Sequence, residues 1–161
     1  MSTVVRQPEP ITRDGYERLR AELEHLVTVR RREIAEDLRE ARGDATDAES
    51  IGVSAVLDDQ AALERRIDEL EAALASVRVV EPAADGVAGL GQRVHVRLAP
   101  GAPPVAYELV GPLEADTTSR RISVASPVGE ALVGRRAGDV VDVATPLGTK
   151  TIEIVSVGPA A

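Results

Sequence analysis

The sequence predicts an α+β chain: an N-terminal antiparallel coiled-coil hairpin of helices, followed by a domain of antiparallel sheet plus one short helix. Three observations predict it. Residues 12–80 carry apolar side chains at steps of three and four, the spacing that lines one face of a helix. An acidic stretch flanked by glycines, RGDATDAESIG (42–52), interrupts that stripe midway. From residue 92 onward the apolar period falls to two, in short runs rich in β-branched residues and separated by Gly, Pro and Asp, as strands and turns require.

Composition narrows the function classes. A chain of 161 residues holds one ordinary domain or two small ones. Apolar residues make up 43% but aromatics only 1%, with no Phe or Trp, so the core is built from Leu, Val, Ile and Ala. Base-stacking platforms for single-stranded nucleic acid are thereby disfavoured. A net charge of -8 disfavours nonspecific DNA binding by the protein as a whole. Without cysteine there are no disulfides or thiolate metal sites, and His25 and His95 lie too far apart in the chain to suggest a metal site or triad. The start of the chain does not read as a signal peptide, and no apolar run reaches membrane-spanning length. The expectation is a soluble, cytoplasmic monomer without a membrane role and without a cofactor or stably bound metal of its own.

The elements follow in order. Residues 1–11, with Pro8 and Pro10, read as a loose tail. Thr12 then caps a helix whose stripe is Tyr16, Leu19, Leu23, Leu26, Ile34 and Leu38. The second helix carries Val56, Leu63, Ile67, Leu70, Leu74 and Val77. Pairing Tyr16 with Val77, Leu19 with Leu74, Leu23 with Leu70 and Leu26 with Ile67 folds the two stripes antiparallel about a point between Thr46 and Asp47. Arg30 and Gln60 fall at stripe positions, where coiled coils often place polar residues that fix register. The coiled-coil domain therefore spans 12–80, with an acidic tip near 43–52. At 1.5 Å per residue the arm from Tyr16 to Asp47 is roughly 45 Å long.

Residues 81–91, EPAADGVAGLG, read as a Pro/Gly linker. The globular domain, 92–161, holds the strands RVHVRL (93–98), VAYELVG (105–111), RISVA (121–125), DVVDVAT (139–145) and KTIEIVSV (150–157). SPVGEALVGR (126–135) is a short helix that Ser126 caps and Pro127 opens.

Four motifs in this order resemble the Gre family of bacterial transcription factors, over nearly the whole chain. ITRDGYERLRAELEHL is similar to the family's helix start, T-x-x-G-[YF]-x-x-L-x-x-E-L-x-x-L. VAYELVG, ISVASPVGEALVG with GDVV, and TPLG match its C-terminal blocks in order and spacing. The resemblance implies an FKBP-like fold for the C-terminal domain and bacterial RNA polymerase as the partner. In the family, the globular domain docks at the mouth of the polymerase secondary channel. The coiled coil enters the channel, and tip carboxylates help hold a second catalytic magnesium ion, so the polymerase hydrolyses its own backtracked RNA. Carboxylates suit that role because magnesium is a hard cation that prefers oxygen ligands. The protein itself is then no enzyme, and its only metal contact is with the polymerase magnesium.

Residue by residue, the resemblance implies that Asp44, Asp47 and Glu49 are the tip acids. It implies that Ala125, Ser126 and Pro127 face the docking surface, and that Arg30, Arg31, Arg39 and Arg42 reach nascent RNA near its 3′ end through the polymerase. The family's tip resembles G-D-L-S-E-N-A-E-Y. A local match puts Asp44 and Asp47 on its Asp and Glu; an ungapped match from residue 40 puts Thr46 and Glu49 there. Under either, the family's Asn and Tyr are missing. That departure favours a secondary-channel regulator that restrains the polymerase in elongation or initiation, with a transcript cleavage factor as the alternative.

Plainer readings stand beside these. Three acids in a turn suit any solvated turn, and the arginines are balanced by Glu33, Glu36, Asp37 and Glu40. Ser126 and Pro127 suffice as a helix cap and first turn. A prolyl isomerase would need aromatic pocket walls, and the globular domain offers only Tyr107. A coiled-coil adaptor or holdase is a further alternative, resting on Ile51, Val53, Val56 and Leu57 as an apolar grip.

Overall fold

Packing divides the chain into two compact units, one of residues 16–76 and one that combines the segments Met1–Gly15 and Val77–Ala161. The structure, a computed structural model, describes residues 7–43, 50–82, 84 and 86–160. The expected α+β organisation is present: a helical hairpin and a sheet with one short helix on it.

In the helical unit, α1 (Arg13–His25) passes through a π-helical segment (Leu26–Arg30) into α2 (Arg31–Gly43), and α3 (Ser50–Ser76) returns. Thr12 caps α1, its hydroxyl accepting the Gly15 N–H at 3.0 Å. Glu22 pairs with Arg66 and Arg31 with Glu64, so the two helical runs are antiparallel. Ile34, Leu63 and Ile67 are buried between them, flanked by Leu23, Leu26, Val27 and Val56. Burying each of these branched side chains contributes roughly 1.5–3 kcal/mol. Arg30 and Gln60 do not sit in the seam; both are exposed. The π segment adds a residue to the turn, which leaves Arg30 in solvent and sets Ile34 in the seam, as its place in the stripe predicted. Val77, expected to end the second stripe, already begins a strand.

In the other unit, residues expected as a loose tail form β1 (Glu9–Ile11), which pairs in parallel with β2 (Val77–Val79). Ile11 is fully buried. Three residues are too few to show a period of two, so this strand exists only through its pairing partner. The larger sheet has the order β5-β4-β3-β7-β6, from β3 (Gln92–Arg97), β4 (Val105–Val110), β5 (Arg121–Ser123), β6 (Val140–Thr145) and β7 (Gly148–Pro159). Its pairs are antiparallel except β4–β5 at one edge, which is parallel. Val94 and Val96, Val141 and Val143, Ile152 and Ile154 alternate onto one face, where Leu109 and Leu132 complete the core. The stretch 81–91, expected as a linker, contributes Ala88 to that core, and Ala88 exchanges backbone hydrogen bonds of 2.7 Å with Arg135 and Gly134.

The helix α4 (Pro127–Leu132) covers the core through the fully buried Leu132. It packs close because residue 129 is glycine: a Cβ there would lie 1.9 Å from the Ser123 carbonyl oxygen.

Candidate functional site

The turn leading into α4 is built from two serines. Ser126 donates its hydroxyl proton to the Ser123 carbonyl at 2.7 Å and accepts the Gly129 N–H at 3.1 Å. The Ser123 hydroxyl in turn accepts the Ala125 N–H at 3.1 Å. Pro127 occupies the first helical turn, where its missing N–H costs nothing. The result is a stiff corner on which Ala125 and Pro127 are exposed while Ser126 is partly covered. Of the three residues expected at a docking surface, two offer solvent-facing apolar surface and the third braces them.

On the helical arm, the expected RNA-contacting arginines divide into two pairs. Arg30 donates to Glu33 on its own helix. Arg31 makes a two-pronged pair with Glu64 across the hairpin, Nε to Oε1 at 2.8 Å and Nη2 to Oε2 at 2.6 Å. The hydrogen bond from Arg31 holds the Glu64 carboxyl below its usual range, and the same bond raises the Arg31 guanidinium. Both side chains are more than two-fifths exposed, so this pair orders the surface more than it stabilises the fold. Arg39 and Arg42 are exposed and make no ion pair with a described residue. The acids Asp44, Asp47 and Glu49, between the end of α2 and the start of α3, lie outside the described residues.

A buried carboxylate that the sequence reading passed over organises the start of α1. Glu114 closes a 3₁₀ turn (Pro112–Glu114) after β4, and its side chain is 2% exposed. Oε2 accepts the Thr12 N–H at 2.9 Å and the Gly111 N–H at 3.0 Å; Oε1 accepts the Thr12 hydroxyl at 2.5 Å and Arg121 Nη2 at 3.2 Å. Thr12 is thus both cap for the helix and ligand for the acid. Gly15 is required beside it, since a Cβ would fall 2.0 Å from Glu114 Oε1. The available signal was GPLE (111–114), a Pro-opened turn closed by Glu three residues after its cap; nothing local names Thr12 as its partner.

The model for the N-terminal domain of the transcription elongation factor family matches residues 9–79, and the model for the GreA/GreB C-terminal domain matches residues 83–159. Transcription elongation factor GreA of Thermomicrobium roseum is 41% identical over 157 residues, which span 96% of this chain and 99% of that protein. The chain belongs to the GreA/GreB family of transcription elongation factors. GreA of Rickettsia felis is 39% identical over 151 residues, 92% of this chain and 93% of that protein. Among solved structures, GreA factor homolog 1 (Gfh1) of Thermus thermophilus is 34% identical, with 95% of this chain and 99% of that chain covered and a TM-score of 0.43.

As a Gre-family elongation factor, the chain is not an enzyme in the usual sense. The first family match runs from Glu9 to Val79, the outer ends of the β1–β2 pair. The short parallel sheet that the sequence reading missed therefore brackets the N-terminal domain. Among the described residues, no group of three or more His, Cys, Asp or Glu is placed to hold a metal ion. No helix among them is long and apolar enough to cross a membrane.

Proposed function

We propose that this Gre-family protein binds bacterial RNA polymerase at its secondary channel, inserts the helical hairpin, and restrains the polymerase through the acids of residues 44–49. The observation that carries this reading is the tip sequence, GDATDAESIG (43–52), within a chain otherwise close to the family. It keeps three carboxylates and lacks the Asn and Tyr of the family's pattern. Two helices long enough to reach support it: at 1.5 Å per residue, the run from Tyr16 to Gly43 is roughly 40 Å. Carboxylates brought near the polymerase magnesium can compete for its ligand positions without orienting the attacking water, and a misplacement of about 1 Å separates these outcomes. Docking falls to the stiff corner of Ala125, Ser126 and Pro127, and Arg39 and Arg42 are the arginines best disposed toward nascent RNA. The protein acts as a monomer in the cytoplasm.

The second reading is a transcript cleavage factor. The GreA relatives at 38–41% identity favour it. One experiment separates the two. A backtracked elongation complex with end-labelled RNA is incubated with the protein and its cognate polymerase. Slower nucleotide addition without RNA shortening is expected. Shortening from the 3′ end identifies a cleavage factor, and absence of binding sinks both readings. Replacing Asp44, Asp47 and Glu49 together by Ala should spare binding and remove the effect; a fully active triple variant would make the arm a steric plug.

A further inference from the structure

The arm contains a one-residue offset in its seam, and the π segment is where the chain takes it up. Continuing the seven-residue seam of Leu19, Leu23 and Leu26 would place Arg30 and Glu33 next in the interface. The structure instead exposes Arg30 and buries Ile34, one position later, at 5% exposure. Between the two halves, the Arg31 N–H bonds to the Leu26 carbonyl, five residues back rather than four. A π turn holds one residue more than an α turn, so the structural offset equals the sequence offset. Thr28 assists, its hydroxyl donating to the Glu24 carbonyl at 2.7 Å, the oxygen its own amide would use in an unbroken α-helix. Root and distal halves of the arm thereby keep two different phases against one continuous α3.

We propose that the π segment Leu26–Arg30 is the element that sets the rotational phase of the distal arm, and so the face that α2 turns toward α3. An α-helix advances about 100° per residue. In a plain α-helix of the same length the extra residue would turn the distal half by about that angle. Removing one residue would leave Leu26 and the present Ile34 seven positions apart, so a plain α-helix would carry both halves in the seam; removing two would turn the distal half again. The consequence for transcription rests on the functional reading above. There, α2 carries Arg39 and Arg42 and leads directly into the acids at 44–49, and a rotated distal half would misdirect both.

The chain has no cysteine, so an introduced pair reports without background. With Arg31→Cys and Glu64→Cys, whose native side chains meet across the hairpin, a short bis-maleimide should cross-link the intact-length chain efficiently. Deleting Thr28 should leave that yield high, as should Thr28→Ala, because the seam is then a plain heptad; deleting Thr28 and Val29 together should lower it at least several-fold, because no extra residue is left to absorb the second loss. A several-fold loss in the single deletion, or an undiminished yield in the double deletion, would overturn the proposal. Should the deletion variants lose their helical circular dichroism, the intact chain still decides. NMR coupling through the hydrogen bond from Arg31 N–H to the Leu26 carbonyl is expected; coupling to the Val27 carbonyl would overturn it. In the polymerase assay, the double-deletion variant should bind and lose its effect, and the single-deletion variant should keep it. An intact protein with no effect on polymerase removes the functional reading while the cross-linking result still judges the π segment.

Discussion

Thr12 and Glu114 stand 102 residues apart in the chain and meet through two buried hydrogen bonds, one from the Thr12 amide and one from its hydroxyl. The same hydroxyl caps the first turn of α1 through Gly15, so one carboxylate in the sheet unit organises the point where the long helix begins. Arg121 supplies the opposite charge at 3.2 Å.

Truncating this acid should be costly. Glu114→Ala leaves the Thr12, Gly111 and Arg121 donors buried without their acceptor, and the expected loss is about 3–5 kcal/mol, as for a buried pair that loses one partner. Glu114→Gln keeps one oxygen and should recover part of it. In a Tyr16→Phe background, the fluorescence of Tyr107 reports urea unfolding of the sheet unit alone, because the chain has two tyrosines and no tryptophan. A loss below about 1 kcal/mol for Glu114→Ala would contradict the clasp.

Gly15→Ala tests the same contact from the other side. In an open helix the change would gain up to about 1 kcal/mol. Here the new methyl meets a carboxylate tethered by four donors, 2.0 Å away, and overpacking should cost about 1–3 kcal/mol. Gly43→Ala is the control, since nothing lies within 4 Å of its Cβ. A melting temperature that rises in both variants would mean that the Glu114 pocket yields.

Ser126→Ala should lower stability by about 1 kcal/mol through loss of the α4 cap, and Ser126→Asp should restore most of it by offering an acceptor to the Gly129 N–H. Thermal unfolding reads both. If the Asp variant fails to rescue, the bond from Ser126 to the Ser123 carbonyl matters more than the cap.

Asp116 carries a pH signature. The Ser119 hydroxyl at 2.7 Å and the Thr118 N–H at 2.9 Å hold its carboxyl below the usual aspartate range. A carboxyl depressed in the folded state contributes stability above its unfolded pKa and loses it as pH falls through the folded value. Ser119→Ala should therefore move the Asp116 midpoint upward in a carboxyl-detected NMR titration. An unchanged midpoint would show that the hydroxyl bond is not kept in solution.

Much of this architecture is written locally. Thr12 and Ser126 were legible as caps because a hydroxyl just before a helix can accept a first-turn N–H, and both act that way. The alternation in β3 and β6 settled which side chains face the core, since successive strand residues point to opposite faces. The stripe from Tyr16 to Leu26 announced a helix, and the blocks around SPVGEALVG identified the family. Tertiary structure decided what no window of sequence contains. β1 is three residues long and exists because Val77–Val79 returns beside it. Arg30 occupies a seam position by spacing and faces solvent because a π turn admits one residue more than the count allowed. Glu114 looks like any surface acid until the fold brings Thr12 to it from 102 residues away and turns Arg121, seven residues on, back toward it. Local rules act over a turn or a strand; pairing, phase and the burial of charge are settled between segments, and only the folded chain supplies the second segment.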